Sequence, residues 1–129
     1  MDDATGPILV VEDDPAMRDA VVELLEGEGY AVRCAANGRQ ALEVLARSEP
    51  PSLILLDLMM PIMDGWQFLA ERRRLADPGA RRAPVVLLSG LGFIRGAAGV
   101  ADFLRKPIDP EALLGCVRRF AGTSTHQTA

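Results

Sequence analysis

Short apolar runs alternate with stretches of helical periodicity along most of the chain. Three unbroken runs have the length of strands buried in a sheet: Ile8–Val11, Leu53–Leu56 and Val85–Leu88. Tyr30–Cys34 and Ala101–Leu104, each with one charged residue, are predicted as the second and fifth strands. After the first run, apolar residues recur at the spacing that places them on one helix face: Met17, Ala20, Val21, Leu24 and Leu25. This alternation predicts an α/β fold, a three-layer, doubly wound, five-stranded parallel sheet with helices on both faces.

Polar residues followed by proline or glycine mark the expected helix starts. An aspartate or asparagine side chain accepts a hydrogen bond from the first helical turn, and proline at the first helical position loses no hydrogen bond. The pattern occurs at Asp14-Pro15, Asn37-Gly38, Asp64-Gly65 and Asp109-Pro110. The third helix is predicted to run to about Leu75, with a turn at Asp77-Pro78-Gly79. We expect one domain over residues 1–121, with 122–129 as a flexible tail or the start of a linker.

Composition excludes several classes of protein. The chain has 129 residues, of which 49% are hydrophobic and 25% charged, and a net charge of −4. This is the composition of a globular domain and not of a disordered chain. Every apolar stretch is far shorter than the roughly 20 residues of a membrane span, and the acidic start Met1-Asp2-Asp3 does not resemble a secretion signal. We therefore expect a cytoplasmic protein without membrane contact.

The net negative charge also argues against direct binding of nucleic acid. Because no aromatic residues alternate with them, the arginines of Arg72-Arg73-Arg74 and Arg81-Arg82 are expected on a solvated helix face. The two cysteines, Cys34 and Cys116, lie in apolar-periodic segments without neighbouring metal ligands. We expect them to be buried free thiols rather than a disulfide.

Polar side chains follow four of the predicted strands. Glu12 and Asp13 follow the first strand, Asp57 the third, Ser89 the fourth and Lys106 the fifth. In a doubly wound sheet, ligands bind beyond the carboxyl ends of the strands, where the strand order reverses. We therefore expect these five side chains to converge in one crevice.

Three carboxylates in one crevice repel one another, and a hard divalent cation relieves that repulsion. Mg²⁺ prefers oxygen ligands and needs only one or two protein carboxylates. Asp13 and Asp57 suit direct ligation, together with the backbone carbonyl of Met59, and the longer Glu12 suits a contact through a metal-bound water. Lys106 and Ser89 offer a positive charge and a hydroxyl for phosphoryl oxygens, with Asp57 as the carboxylate nucleophile.

These motifs together resemble the receiver domain of response regulators in two-component signalling, of the type found in chemotaxis regulators. The motifs are Glu12-Asp13-Asp14-Pro15, Asp57 with Met60-Pro61 and Met63-Asp64-Gly65, Ser89-Gly90 and Lys106-Pro107. The resemblance covers about residues 7–121 and implies a flavodoxin-like sheet of order 2-1-3-4-5.

The resemblance implies a role for each matching position. Asp57 is the phosphoacceptor; Asp13, Asp57 and the Met59 carbonyl are Mg²⁺ ligands, and Glu12 completes the acidic pocket. Ser89 is the switch hydroxyl and Lys106 the phosphate-binding cation. Phe103 is the switch aromatic, although packing in the core is an alternative role for it. The Lys106-Pro107 peptide bond is a candidate for the cis form.

The implied function is a signalling switch controlled by phosphorylation. A sensor histidine kinase or phosphotransfer protein donates a phosphoryl group to Asp57 in a Mg²⁺-dependent reaction, and the changed conformation engages an output partner. The domain is not an enzyme on a separate metabolite, since it catalyses only its own phosphorylation and dephosphorylation. The kinase and the output stay unidentified, and we expect a monomer or weak dimer.

Three other functions remain as alternatives. A Mg²⁺-dependent phosphatase on the same fold usually carries a second acid two residues after the nucleophile, where this chain has Met59. An interaction module that is never phosphorylated would not need the full set of acceptor-site residues. A nucleotide or flavin binder would need a glycine-rich loop after the first strand.

The segment between Ser89 and Lys106 is short and rich in glycine. Residues 90–105 must hold the fifth strand and any helix before it, and they include Gly90, Gly92, Gly96 and Gly99. Glycine inside a helix costs roughly 1 kcal/mol relative to alanine. We therefore predict that the fourth helix of the receiver fold is missing or shortened around Phe93–Ala98, in a mobile segment that phosphorylation orders through Ser89.

Overall fold

The computed structural model describes residues 6–90 and 99–122. Five parallel strands form one sheet in the order β2-β1-β3-β4-β5. The strands are β1 (Ile8–Val11), β2 (Val32–Ala35), β3 (Leu53–Asp57), β4 (Val85–Ser89) and β5 (Val100–Arg105). The helices are α1 (Pro15–Gly27), α2 (Gly38–Arg47), α3 (Gly65–Arg72), α4 (Pro78–Arg82) and α5 (Pro110–Ala121). The predicted α/β class and strand order are confirmed.

Alternate residues of the central strands pack on opposite faces of the sheet, in two separate hydrophobic cores. On one face, side chains such as Leu9, Ile54 and Leu87 pack against α2, α3 and α4. On the other, Val10 and Leu55 pack against α1 and α5. Every residue of β1, β3 and β4 is buried, which explains why these strands read as unbroken apolar runs. None of the described helices combines the length and apolarity needed to cross a membrane.

The segment between α3 and β4 differs from its prediction. Helix α3 ends at Arg72 rather than near Leu75, and the expected turn at Asp77-Pro78-Gly79 is the start of α4. Asp77 caps this short helix through the backbone N–H of Gly79, so the turn signal was a helix start of the type seen at Asp14.

Arg72 contradicts the expected solvated arginine face. Its side chain is buried, and its guanidinium donates to the carbonyl oxygens of Ala80 at 3.1 Å and Ala83 at 2.9 Å. Arg73, Arg74 and Arg82 are exposed as predicted. The difference arises because α4 folds back over the end of α3, a tertiary contact that charge spacing does not encode.

The second strand begins two residues later than predicted, at Val32. Both cysteines are free, but only Cys116 is buried, and Cys34 is exposed. Cys34 lies on β2, which pairs only with β1 at the sheet edge. Side chains of an edge strand are covered less completely than those of a central strand. The helix predicted to be missing or shortened around Phe93–Ala98, and the tail after Gly122, lie outside the described residues.

Candidate functional site

Three carboxylates meet at the carboxyl end of the sheet. β1 and β3 are neighbours, so Glu12 and Asp13, which follow β1, lie beside Asp57, the last residue of β3. One carboxylate oxygen from each lies within 4.8 Å of the others. Glu12 and Asp57 are buried, and Asp13 is half-buried. The sheet topology thus produces the acidic pocket that the sequence predicted.

Backbone contacts hold Glu12 in place. The N–H of Asp14 donates to Glu12 Oε2 at 3.2 Å, and the guanidinium of Arg18 donates to the Glu12 carbonyl oxygen at 3.0 Å. The second carboxylate oxygen, Oε1, makes an ion pair with Lys106 Nζ at 2.9 Å and has no further hydrogen-bond partner among the described residues. Glu12 therefore keeps a buried acceptor directed at the site.

Lys106 connects the fifth strand to the acidic pocket. Its ammonium lies 2.9 Å from Glu12 Oε1 and 3.3 Å from Asp57 Oδ1. Its backbone N–H donates to the carbonyl oxygen of Ser89 at 2.8 Å, which fixes the strand ends of β4 and β5 together. The Lys106-Pro107 peptide bond is cis, as expected from the resemblance.

The electrostatics of the pocket favour binding of a cation. The pKa of Asp57 is raised to about 6: burial contributes most, the neighbouring Glu12 and Asp13 carboxyls add to it, and Lys106 and the Met59 N–H oppose it. Burial alone would lower the pKa of Lys106, but hydrogen bonds and charges from Glu12 and Asp57 raise it overall. One ammonium faces three acidic groups, so the pocket carries excess negative charge at neutral pH.

This donor set fits Mg²⁺. Carboxylate oxygens are the ligands that this ion prefers, and Asp13 is partly exposed to the solvent from which the metal-bound waters come. Asp13 and Asp57 would bind the ion directly, and Glu12 would act through a water. The backbone carbonyl of Met59, two residues beyond Asp57, stays a predicted ligand. Bound Mg²⁺ would neutralise the pocket and polarise a phosphoryl group there.

The remaining predicted residues lie on β4, on β5 and in the loop after Asp57. Ser89 is buried at the end of β4, opposite Arg105 in the strand register. Phe103 is half-buried, pairs with Leu87 in the register and packs against the core. Their switch roles stay predictions. Met59 has a side chain that is 65% exposed, and its N–H donates to Asp57 Oδ1 at 3.3 Å.

A contact between α2 and residues 58–64, the loop that follows Asp57, was not predicted from the sequence. The N–H of Gly38 donates to the carbonyl oxygen of Met63 at 2.9 Å. Asn37-Gly38 was interpreted only as a helix start. Glycine is a weak helix former, and its presence at the first position of α2 was the signal that another chain segment approaches closely.

Fold and site together define the receiver domain of a response regulator. The family model described as the response regulator receiver domain matches residues 8–118, and the chain belongs to this family. It therefore is a module of two-component signalling.

The chain is similar to relatives of different lengths. It is 39% identical over 118 residues to a 14.6 kDa protein of Leptolyngbya boryana, covering 88% of each chain. It is 40% identical over 116 residues to RpaA, a DNA-binding dual master transcriptional regulator of Synechocystis, covering 86% of this chain and 47% of RpaA. The chain thus spans about half the length of RpaA, and a quarter to a half of several other curated relatives.

Two solved structures illustrate the structural similarity. The receiver domain of the sensor histidine kinase PA1611 from Pseudomonas aeruginosa, solved with a magnesium ion in its active site cleft, is 31% identical with a TM-score of 0.79. The match covers 92% of this chain and 98% of that one. A response regulator from Chloroflexus aurantiacus is 29% identical with a TM-score of 0.78, covering 90% and 97%.

Proposed function

We propose that this domain is a phosphorylation switch that accepts a phosphoryl group on Asp57 in a Mg²⁺-dependent reaction. The observation that carries the proposal is the pair formed by the Asp57 carboxylate and the Lys106 ammonium, 3.3 Å apart beside two further carboxylates. A nucleophile, a countercharge and a cation site thus lie together at the carboxyl end of the sheet. The donor is a phosphohistidine of a sensor kinase or phosphotransfer protein.

Asp57, Lys106 and Ser89 have different roles in the phosphoryl transfer. An Asp57 carboxylate oxygen attacks the phosphorus atom, the phosphorus–nitrogen bond to the donor imidazole breaks, and the imidazole leaves with the electron pair. Lys106 stabilises the negative charge of the phosphoryl oxygens, and the Ser89 hydroxyl hydrogen-bonds one of them. Water later attacks the acyl phosphate and restores Asp57. The domain thus catalyses only its own phosphorylation and dephosphorylation, and acts on no separate metabolite.

The phosphorylated domain engages an output partner or a further domain of its own chain. We propose a cytoplasmic location and a monomer or weak dimer in solution, with no direct contact to nucleic acid or membrane by this domain. Sedimentation analysis with and without the phosphodonor tests the oligomeric state. A stable dimer in both conditions would contradict that part of the proposal.

Phosphorylation with a small-molecule donor tests the function directly. Wild-type protein incubated with acetyl phosphate and Mg²⁺ is expected to gain one phosphoryl group, read by intact-protein mass spectrometry and located by peptide mapping. Asp57→Asn should gain none. Asp19→Asn, which removes an exposed aspartate of α1, is the matched control and should behave like wild type.

The outcomes separate the alternatives. No incorporation into wild type would indicate an interaction module that is never phosphorylated. Incorporation without Mg²⁺, or at another residue, would contradict the assigned site. Multiple turnovers of p-nitrophenyl phosphate would favour the phosphatase.

A further inference from the structure

The two ends of the loop that follows Asp57 are joined by a backbone hydrogen bond. This acceptor loop, residues 58–64, joins β3 to α3. The N–H of Gly65 donates to the Leu58 carbonyl oxygen at 3.0 Å. A Cβ atom at Gly65 would lie 2.8 Å from the carbonyl oxygen of Asp57. The backbones at the two ends of the loop are therefore in contact, next to the phosphoacceptor Asp57.

The far side of the acceptor loop is held by a different helix. Gly38, the first residue of α2, donates its N–H to the Met63 carbonyl oxygen at 2.9 Å. A Cβ atom at Gly38 would lie 2.7 Å from Met63 Cγ and 2.8 Å from that same oxygen. Gly38 does not have a positive φ. Close approach, and not backbone conformation, is therefore what requires glycine here.

The turn before α2, which positions the donor N–H of Gly38, is itself held by hydrogen bonds. Asn37 is buried, and its Oδ1 accepts the N–H of Gln40 at 3.0 Å. The Gln40 side chain in turn accepts the N–H of Ala36 at 2.8 Å. These two hydrogen bonds hold the turn before α2, and the buried Ala41 packs in the core beneath the helix. The N–H of Gly38 is thus presented from a rigid element.

We propose that Gly38 is a positioning residue for the phosphorylation site: the α2 N-terminus holds the Met63 carbonyl, and through it the loop that carries Met59. Met59 lies in the same short loop, and its N–H contacts Asp57 Oδ1 at 3.3 Å. Displacement of Met63 shifts both this N–H and the Met59 carbonyl. The inference deepens the proposed function and rests on its Mg²⁺-dependent chemistry.

Gly38→Ala tests the proposal. The added methyl group has to displace the Met63 backbone, so Mg²⁺ should bind about tenfold or more weakly, as expected when support of a metal ligand is lost. Phosphorylation by acetyl phosphate should slow at fixed Mg²⁺ and recover at high Mg²⁺. Isothermal titration calorimetry measures Mg²⁺ binding directly.

Gly115→Ala is the matched control. Gly115 lies in α5, and a Cβ atom there would meet nothing within 4 Å, so this variant should keep wild-type Mg²⁺ affinity. A second comparison separates positioning from side-chain packing. The double variant Gly38→Ala with Met63→Ala removes the contact with Met63 Cγ but keeps the clash with the Met63 carbonyl oxygen, so it should bind Mg²⁺ as weakly as Gly38→Ala.

Wild-type Mg²⁺ affinity in Gly38→Ala, or full recovery of affinity in the double variant, would overturn the proposal. If Gly38→Ala does not fold, Asn37→Gly is the substitute, since glycine is tolerated at a helix cap but loosens the turn before Gly38. It should weaken Mg²⁺ binding in a folded protein, and unchanged affinity would again overturn the proposal. Absence of Mg²⁺ binding or phosphorylation in wild type would instead contradict the proposed function, and this inference with it.

Discussion

At the scale of single residues, Asp57 carries the clearest electrostatic signature. Its carboxyl is almost fully buried beside Glu12, and the Lys106 ammonium compensates only part of the cost. The pKa of Asp57 therefore rises to about 6 from an ordinary value of 3.8, chiefly through burial. A group of this kind destabilises the fold when it ionises, and a bound cation removes that penalty.

The raised pKa of Asp57 predicts a pH dependence of the metal-free protein. Between pH values of about 4 and 6, the folded state holds a proton that the unfolded chain has released, so stability falls as pH rises. Wild type should therefore lose free energy of unfolding relative to Asp57→Asn across this window, measured by urea unfolding in EDTA. A difference that is constant with pH, or that grows as pH rises, would contradict the assignment.

Met59 sets the expected lifetime of the phosphoryl group. Its apolar side chain lies two residues beyond the acceptor and cannot orient an attacking water by hydrogen bonding. Met59→Asn should therefore speed dephosphorylation several-fold, followed as loss of the phosphorylated mass after donor removal. Leu91, also apolar and two residues beyond Ser89, is the second position implied by the family resemblance, and it lies outside the described residues. Met59→Asn combined with Leu91→Glu should decay faster still.

The control for this prediction is Ile62→Asn in the same loop. Ile62 is 75% exposed and has a φ of 69°, a left-handed conformation that asparagine adopts more readily than a β-branched residue. This variant should keep the wild-type decay rate. Faster decay in Ile62→Asn, or unchanged decay in Met59→Asn, would show that the polarity at position 59 does not control the water.

At the scale of elements, strands were predicted better than their connections. The apolar runs of β1, β3 and β4 are buried on both faces, so their sequence alone indicates their structure. The edge strand β2 is interrupted by Arg33 and only its last residue, Ala35, is buried, so its start was predicted at Tyr30 instead of Val32. Helix α4 was missed because five residues, Pro78–Arg82, are too few to show a periodic apolar face.

Arg72 is the residue that joins the two misread helices. One guanidinium nitrogen donates to the carbonyls of Ala80 and Ala83, at the end of α4. Arg72→Ala would leave buried carbonyl groups without a donor, at a cost of about 1–3 kcal/mol. The exposed neighbour Arg73 provides the control, and Arg73→Ala should change the free energy of unfolding by less than about 0.5 kcal/mol. Equal effects in chemical denaturation would contradict a structural role for Arg72.

At the scale of the whole molecule, the site follows from the topology. Glu12, Asp57 and Lys106 are separated by more than 40 residues along the chain, but each stands at the carboxyl end of a parallel strand. Any parallel sheet of this order brings the carboxyl ends of its strands to the same side of the molecule. The residues of the site could therefore be predicted before their geometry was known. The contact from Gly38 could not, because it depends on how closely α2 approaches the loop.

Metal binding should be coupled to the stability of the whole domain. A ligand that binds only the folded state stabilises it by mass action, by about 2.7 kcal/mol at a concentration 100 times its dissociation constant. Wild type should therefore melt at a higher temperature in Mg²⁺ than in EDTA. This shift should be absent in Asp13→Asn, which loses a predicted direct ligand, and preserved in Asp19→Asn.

The same Asp13→Asn variant should have the opposite effect without metal. Asp13 is one of the three clustered carboxylates of the pocket, and it contributes to raising the pKa of Asp57. Its neutralisation removes repulsion from the folded state, while the unfolded chain, where these charges lie far apart, is little affected. Asp13→Asn in EDTA should thus melt above wild type. A lower melting temperature would mean that Asp13 stabilises the metal-free fold, and that the pocket is not held in an electrostatically strained state for its cation.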